Sequence, residues 1–236
     1  MSNFLKAEWR RLAMANYAVD PSVLQPYLPY KTELDLWKNA CFVSLVGFMF
    51  LNTRLLGIKV PGHVNFEEVN LRFYVRYKEN NKWKRGVVFI KEIVPKPALA
   101  FVANTLYHEN YEAMSMKHFW TSEAEKLSVS YSWKKRDWHL LTVTAHKIPH
   151  DIEAGSGAEF ITEHYWGYTK INRSKTSEYE VQHPRWQVYD VLDYKINVNF
   201  GVLYGKAFSF LSRLQPTSVF LAEGSFIEVK TKRTIR

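Results

Sequence analysis

A strand with two different faces is the feature that most constrains the fold of this chain. From Phe66 to Tyr77, apolar and polar side chains alternate at every second residue, which is the period of a β-strand. One face carries Val69, Leu71, Phe73 and Val75. The other carries Glu68, Asn70, Arg72, Tyr74 and Arg76. A polar turn at 79–82 then leads into a second apolar stretch at 86–94, so an antiparallel hairpin is predicted.

The remaining sequence predicts many strands and few helices. Further strands are expected at 33–37, 39–51, 113–120, 127–133, 138–146, 165–172, 178–183, 186–197 and 217–230. Short helices are expected after Asp20 and Pro21, from Pro97, after the capping box 156–159, and across 200–211. The strand–helix alternation of a parallel sheet is missing. We therefore expect a mainly β fold, a closed or partly closed antiparallel barrel with a few short helices. Without repeats or linkers, residues 1–236 should form a single domain.

Charge and aromatic content suggest two different kinds of partner. The net charge is +9, with basic clusters at 82–85, 134–136, 172–175 and 230–233. The first three fall at probable hairpin tips, where charge is solvated. A basic surface that binds nucleic acid or another acidic partner would need one basic face with interleaved aromatics, and it is the alternative function. The 15 Phe, 14 Tyr and 8 Trp residues favour strands, and such side chains also line small-molecule pockets.

The compartment can be predicted from one thiol and from the apolar runs. Cys41 is the only cysteine and lies in an apolar run, so it cannot form an internal disulfide and is expected to be buried. A reducing compartment, the cytoplasm, fits best. The N-terminal residues lack the pattern of a signal peptide. The longest apolar run, 41–51, is too short for a membrane helix, so no membrane partner is expected.

Motifs for metals and cofactors are missing from the sequence. His146 and His150 have a metal-like spacing, but Pro149 would interrupt any helix that placed them on one face, so no metal site is expected. Neither phosphate-binding glycine motif occurs, and there is no nucleophile elbow. No cofactor is therefore expected.

Three groups of residues could carry chemistry. The first is the polar face Glu68, Asn70 and Arg72, which either faces solvent or looks into a polar lumen. Periodicity alone favours the solvent-exposed arrangement, because charged residues are mostly exposed. The other two are His164 and His183, which lie among aromatic residues and are suited either to acid–base work or to hydrogen-bonded packing.

Several short segments, taken in order, resemble the YqjF-like family, also known as DUF2071. They are AEWRRL at 7–12, NY at 16–17, LP at 28–29, VSLV at 43–46, EVNLRFYV at 68–75, RGVVF at 85–89 and the stretches around His164 and His183. The resemblance covers nearly the whole chain. It implies a distant branch of the acetoacetate-decarboxylase-like superfamily, whose fold is a mostly antiparallel barrel or cone around a small-molecule cavity.

The resemblance changes the expectation for the polar face. It implies that Glu68 and Arg72 point inward, toward a ligand with a carboxylate or carbonyl group. The implied ligand-binding residues are Glu68, Asn70, Arg72, Tyr111, His164 and His183, with Glu68, Tyr111 and His183 as candidate catalytic groups. Oligomeric state and catalysis are left open.

The resemblance also exposes one departure from the decarboxylases. These enzymes use a lysine that forms a Schiff base, and the matching stretch here, 104–112, places Tyr111 at that position. Lys117 is close in sequence but out of register. Because a phenol cannot form a Schiff base, amine-based decarboxylation is not expected.

Overall fold

Fourteen strands and a few short helices make up the computed structural model, which describes residues 3–107 and 109–236. The strands are β1 (Asn3–Val19), β2 (Thr32–Leu34), β3 (Cys41–Leu55), β4 (Phe66–Glu79), β5 (Lys82–Val94), β6 (Tyr111–Ala113), β7 (Ser115–Glu123), β8 (Lys126–Lys135), β9 (Asp137–Asp151), β10 (Trp166–Asn172), β11 (Lys175–Gln182), β12 (Gln187–Asn197), β13 (Ser218–Lys230) and β14 (Arg233–Ile235). The α-helices are α1 (Pro21–Leu24), α2 (Pro97–Tyr107), α3 (Gly157–Thr162) and α4 (Phe200–Tyr204).

Seven strands pair side by side into a closed ring, in the order β1, β3, β4, β5, β10, β11 and β13. The ring closes where Val181 and Gln182 of β11 pair with Val229 and Glu228 of β13. Every neighbouring pair is antiparallel except β5 and β10. Strands β12, β9, β8 and β7 continue the sheet from β13. The prediction of a mainly β, mostly antiparallel fold with few short helices is confirmed.

Strand β4 is buried on both of its faces. Its apolar face, with Leu71 and Phe73, packs in one core together with Tyr131 and Val143 of strands β8 and β9. Its polar face, with Glu68, Asn70 and Arg72, is buried as well. The solvent-exposed arrangement that periodicity alone favours is therefore wrong, because a second layer of strands covers the apolar face and the ring encloses the polar one.

Local signals predicted the helix starts well. Asp20 caps α1 by accepting a hydrogen bond from the Ser22 amide, and Ser156 caps α3 by accepting one from the Glu159 amide. The helix predicted across 200–211 is divided in two. Gly205, with φ of 97°, separates α4 from a 3₁₀ helix at Lys206–Arg213.

The thiol of Cys41 is free and buried, as expected. Within the described part of the chain, no helix has both the length and the apolar character needed to cross a membrane.

The first stability prediction concerns Glu178, which is fully buried and joins three strands. One carboxylate oxygen accepts from Arg233 Nε at 2.5 Å and from Lys84 Nζ at 3.4 Å. We expect Glu178→Gln to lower the free energy of unfolding by about 3 kcal/mol, because two cations lose a buried partner. Glu33→Gln, which breaks an exposed pair with Arg76, should cost about 0.5 kcal/mol. Urea denaturation measures the free energy of unfolding of both variants. Equal losses would contradict the role of Glu178 as the buried partner of Arg233 and Lys84.

Candidate functional site

A cavity of about 380 Å³ lies inside the strand ring, and all seven ring strands contribute side chains to its wall. Its volume is within the range of small-molecule sites. Most of the wall is aromatic or aliphatic. The ring of Trp9 contacts three other aromatic rings of the wall, with centroids 5.3 Å from Phe48, 5.9 Å from Phe50 and 6.2 Å from Trp186. The ring of Phe66 stacks on Phe50, also at the cavity wall.

Three glutamates converge on one side of this cavity. Glu68 comes from β4, Glu92 from β5, and Glu109 from the segment just before β6. Tyr111 donates a hydrogen bond to Glu68 at 3.3 Å, and Thr169 donates one to Glu109 at 2.9 Å. The short parallel pairing of β5 with β6 sets Tyr111 opposite Glu92. We call Glu68, Glu92 and Glu109 the carboxyl cluster.

Two local features position the phenols of Tyr111 and Tyr179 near the carboxyl cluster. The Asn104 side chain of α2 exchanges two hydrogen bonds with the backbone of Tyr111, at 2.7 and 2.9 Å, and so fixes where β6 begins. Gly167 leaves room for the ring of Tyr179, because a Cβ at that position would lie 2.1 Å from the ring. Larger residues at 167 would push the Tyr179 phenol away from Glu109.

Burial gives the carboxyl cluster a high affinity for protons. It raises the pKa of Glu68 to about 7, against hydrogen bonds from Asn70 and Tyr111 that lower it. Burial likewise raises the pKa of Glu109 to about 7. The pKa of Glu92 is raised well above its ordinary value by burial and by the neighbouring Glu109 and Glu68. The cluster therefore holds protons near neutral pH and can donate as well as accept hydrogen bonds.

Several buried polar atoms at the cavity wall have no hydrogen-bond partner among the described residues. They are Trp9 Nε1, Thr53 Oγ1, Asn70 Oδ1, Arg72 Nε, Glu92 Oε2 and His164 Nδ1. The amide nitrogen of Asn70 is already bound to Glu68 at 2.9 Å, which leaves its oxygen as a pure acceptor. Buried polar groups are normally satisfied, so six unsatisfied atoms on residues that line one cavity are unusual and call for an explanation beyond packing.

A hydrogen-bonded pair sets the orientation of His164. Its Nε2 lies 3.0 Å from Asp35 Oδ2, and the same oxygen accepts from Arg85 Nε at 2.6 Å. Burial lowers the pKa of His164 to about 4, so the ring is neutral at physiological pH. A neutral ring that donates from Nε2 to the carboxylate leaves Nδ1 as an acceptor.

All six residues predicted to bind a ligand line this one cavity. They are Glu68, Asn70, Arg72, Tyr111, His164 and His183. Sequence reasoning missed Asp35, Arg85, Glu92, Glu109 and Tyr179. Glu92 could have been found, because it pairs with Asn70 across the predicted hairpin of β4 and β5. The other four residues come from segments that only the tertiary fold brings together.

The lysines of the described chain lie away from the cavity wall. Among the described residues, no lysine lines the cavity. Lys117 is exposed on β7, outside the ring, and its ammonium lies 4.8 Å from the ring of Trp138. Nor does the described part of the chain contain a group of three or more His, Cys, Asp or Glu side chains arranged to hold a metal ion.

The fold belongs to the acetoacetate decarboxylase-like class. Acetoacetate decarboxylase from Legionella pneumophila subsp. pneumophila str. Philadelphia 1 superposes with a TM-score of 0.64 at 13% identity, covering 100% of this chain and 88% of that chain. An acetoacetate decarboxylase-like enzyme from Sphingomonas wittichii RW1 gives a TM-score of 0.64 at 8% identity, with 100% and 94% covered. The enduracididine biosynthesis enzyme MppR, complexed with pyruvate, gives 0.66 at 10% identity, with 99% and 91% covered.

Within this class, the chain belongs to the family DUF2071, described as an uncharacterised conserved protein, whose model matches residues 6–225. The chain is 29% identical over 200 residues to the uncharacterised protein YqjF of Bacillus subtilis (strain 168). That match covers 83% of this chain and 78% of the relative. The resemblance inferred from short sequence segments is thereby confirmed.

The raised pKa of Glu68 predicts how stability depends on pH. A carboxyl whose folded pKa exceeds its unfolded value stabilises the fold below the unfolded pKa, and this stabilisation is lost as pH rises through the folded pKa. For Glu68 the window is from 4.5 to about 7. The wild type should therefore lose about 3 kcal/mol more stability between pH 4.5 and 7.5 than Glu68→Gln does.

Urea denaturation at several pH values between 4.5 and 7.5 provides the measurement. Glu180→Gln is the matched control, since Glu180 lies on β11 outside the cavity and its carboxylate accepts a hydrogen bond from Gln182 at 3.1 Å. Its pH profile should follow the wild type. If Glu68→Gln and the wild type have parallel profiles, Glu68 is not the proton-binding group described above.

Proposed function

We propose that this protein binds a small organic molecule inside the strand ring, with a carbonyl or carboxyl oxygen of the ligand at Arg72. The observation that carries the proposal is the wall of unsatisfied polar atoms in an otherwise apolar cavity. Leaving a buried polar group unpaired costs about 1–3 kcal/mol, so a ligand that pairs these atoms recovers that loss.

Arg72 is the natural anchor for a ligand oxygen. Its side chain lines the cavity, and its Nε has no partner among the described residues. A guanidinium forms strong hydrogen bonds with carboxylates and polarises carbonyls. Glu92 adds a second donor, because its raised pKa keeps a proton on the carboxyl group. The apolar remainder of the ligand would lie against Trp9, Phe48 and Phe50.

The fold provides a precedent for small carbonyl ligands. MppR is described in complexes with pyruvate and with the condensation product of pyruvate and imidazole 4-carboxaldehyde. At 10% identity this likeness concerns the fold, and its ligands are those of MppR. It supports the proposal that a cavity in this scaffold admits a small carbonyl compound.

We also propose that the protein carries out acid–base catalysis on the bound ligand. Glu68, with a pKa of about 7, would exchange a proton with the bound ligand, and the phenol of Tyr111 would donate a hydrogen bond. His183 stands at the same wall, stacked on Trp186 with centroids 4.3 Å apart. Such chemistry needs no amine. We also propose a cytoplasmic location, supported by the free thiol of Cys41.

Octanoate and 2-octanone are suitable probes of the proposed site. Calorimetric titration should detect binding of both to the wild type. Arg72→Lys should weaken octanoate binding about tenfold, because an ammonium cannot reproduce the guanidinium geometry. Arg76→Lys is the matched control, since Arg76 follows on the same strand but pairs with Glu33 outside the cavity.

Circular dichroism would verify that both variants are folded. If neither probe binds the wild type, or if the two variants bind octanoate equally well, Arg72 does not anchor a ligand oxygen and the proposal fails.

A further inference from the structure

We infer that the ligand of this cavity also carries a protonated amine, held by the carboxyl cluster against the aromatic wall. The inference rests on the proposed function, because it concerns the same site. It makes the expected ligand class more specific: a small apolar compound with both an amino group and a carbonyl or carboxyl oxygen.

Acidic side chains outnumber basic ones at the cavity wall. Glu68, Glu92 and Glu109 line the cavity, whereas Arg72 is the only Lys or Arg among the described lining residues. A ligand that offered only a carboxylate would meet one cation and three acids. A ligand with an additional ammonium group would complement the excess of acidic groups.

Two of these three acids have no cationic partner in contact with them in the part of the chain that the structure describes, whereas Lys232 lowers the pKa of Glu109. Among the described residues, neither Glu68 nor Glu92 forms an ion pair with a Lys or Arg nitrogen within 4.0 Å. Glu68 is held by the neutral donors Asn70 and Tyr111, and Glu92 Oε2 has no hydrogen-bond partner. Buried acids without cationic partners are costly, which argues for a function beyond packing.

Aromatic side chains line the same cavity as the carboxyl cluster. They are Trp9, Phe48, Phe50, Phe66 and Trp186. The negative face of an aromatic ring attracts ammonium groups, most strongly where water is excluded. A cavity that combines aromatic faces with carboxyl groups suits an organic cation.

Proton release should accompany amine binding. The groups that face the carboxyl cluster are Arg72 and Asn70 on β4, Tyr111 on β6, Tyr179 on β11, and Lys232, which lowers the pKa of Glu109. An ammonium would ionise a carboxyl that is protonated in the free protein. Affinity for an amine should therefore rise with pH, whereas affinity for a carboxylate should fall.

Three probes of equal chain length distinguish binding of an amine, a carboxylate and a neutral compound: octylamine, octanoate and 1-octanol. Calorimetric titrations are run at pH 6 and pH 8. Octylamine affinity should rise about tenfold, because the ionised fraction of a group with a pKa near 7 rises from about one tenth to nine tenths. The neutral alcohol should show no change. Titration at pH 6 in buffers of different ionisation enthalpy should show about one proton released for each octylamine bound, and almost none at pH 8.

Variants locate the effect in the carboxyl cluster. Glu92→Gln and Glu68→Gln should each weaken octylamine binding about tenfold more than they weaken 1-octanol binding, whereas Glu180→Gln should alter neither. If the glutamine variants do not fold, the pH dependence of the wild type alone decides.

Octanoate binding without octylamine binding would overturn the amine inference and leave the proposed function standing. Failure of all three probes would overturn both. Octylamine binding that does not change between pH 6 and pH 8 would also exclude the carboxyl cluster as the amine site.

Discussion

The burial of both faces of β4 is the constraint on which the rest of the structure depends. Leu71 and Phe73 pack against a second layer of strands, so Glu68, Asn70 and Arg72 must face the interior of the ring. Turning the strand over would place a guanidinium and a carboxyl among packed hydrocarbon, at a cost of several kcal/mol for each charge. The ring must therefore enclose a space that accommodates polar groups, and the cavity follows from the pattern of one strand.

Enclosure then determines the chemistry of the cavity. The pairing of β11 with β13 closes the ring around the buried carboxyl cluster, and burial is the largest cause of the raised pKa of Glu68 and Glu109. An open sheet with the same side chains would leave them solvated, as ordinary ionised acids. In this fold, the pairing of β11 with β13 therefore influences the proton affinity of the carboxyl cluster, although the three glutamates lie on other segments.

Sequence patterns predicted those parts of the fold that depend on neighbouring residues. The alternation of β4, its hairpin with β5 and the caps at Asp20 and Ser156 are local, and all four are found. Strand β1 escaped prediction because Arg11, with φ of 56°, interrupts its alternation at an irregularity in the pairing with β3. Periodicity separates the two faces of a strand, but it cannot tell which face is enclosed. Only the family resemblance indicated that the polar face of β4 points inward. Residues such as Asp35 and Glu109 reach the site through long-range contacts, which local patterns do not reveal.

The resemblance implies that Tyr111 stands where the decarboxylases have their reactive lysine, and this difference would affect more than one group. A lysine in this position would add a cation among Glu68, Glu92 and Glu109, and would ionise them by pairing. With a phenol there, burial dominates and the acids retain their protons, while the raised pKa of Tyr111 keeps that hydroxyl a donor. Under the amine inference, the ligand provides the positive charge at this wall. The phenol at position 111 and the protonated carboxyl groups then act together, because both leave the cation to be supplied by the ligand.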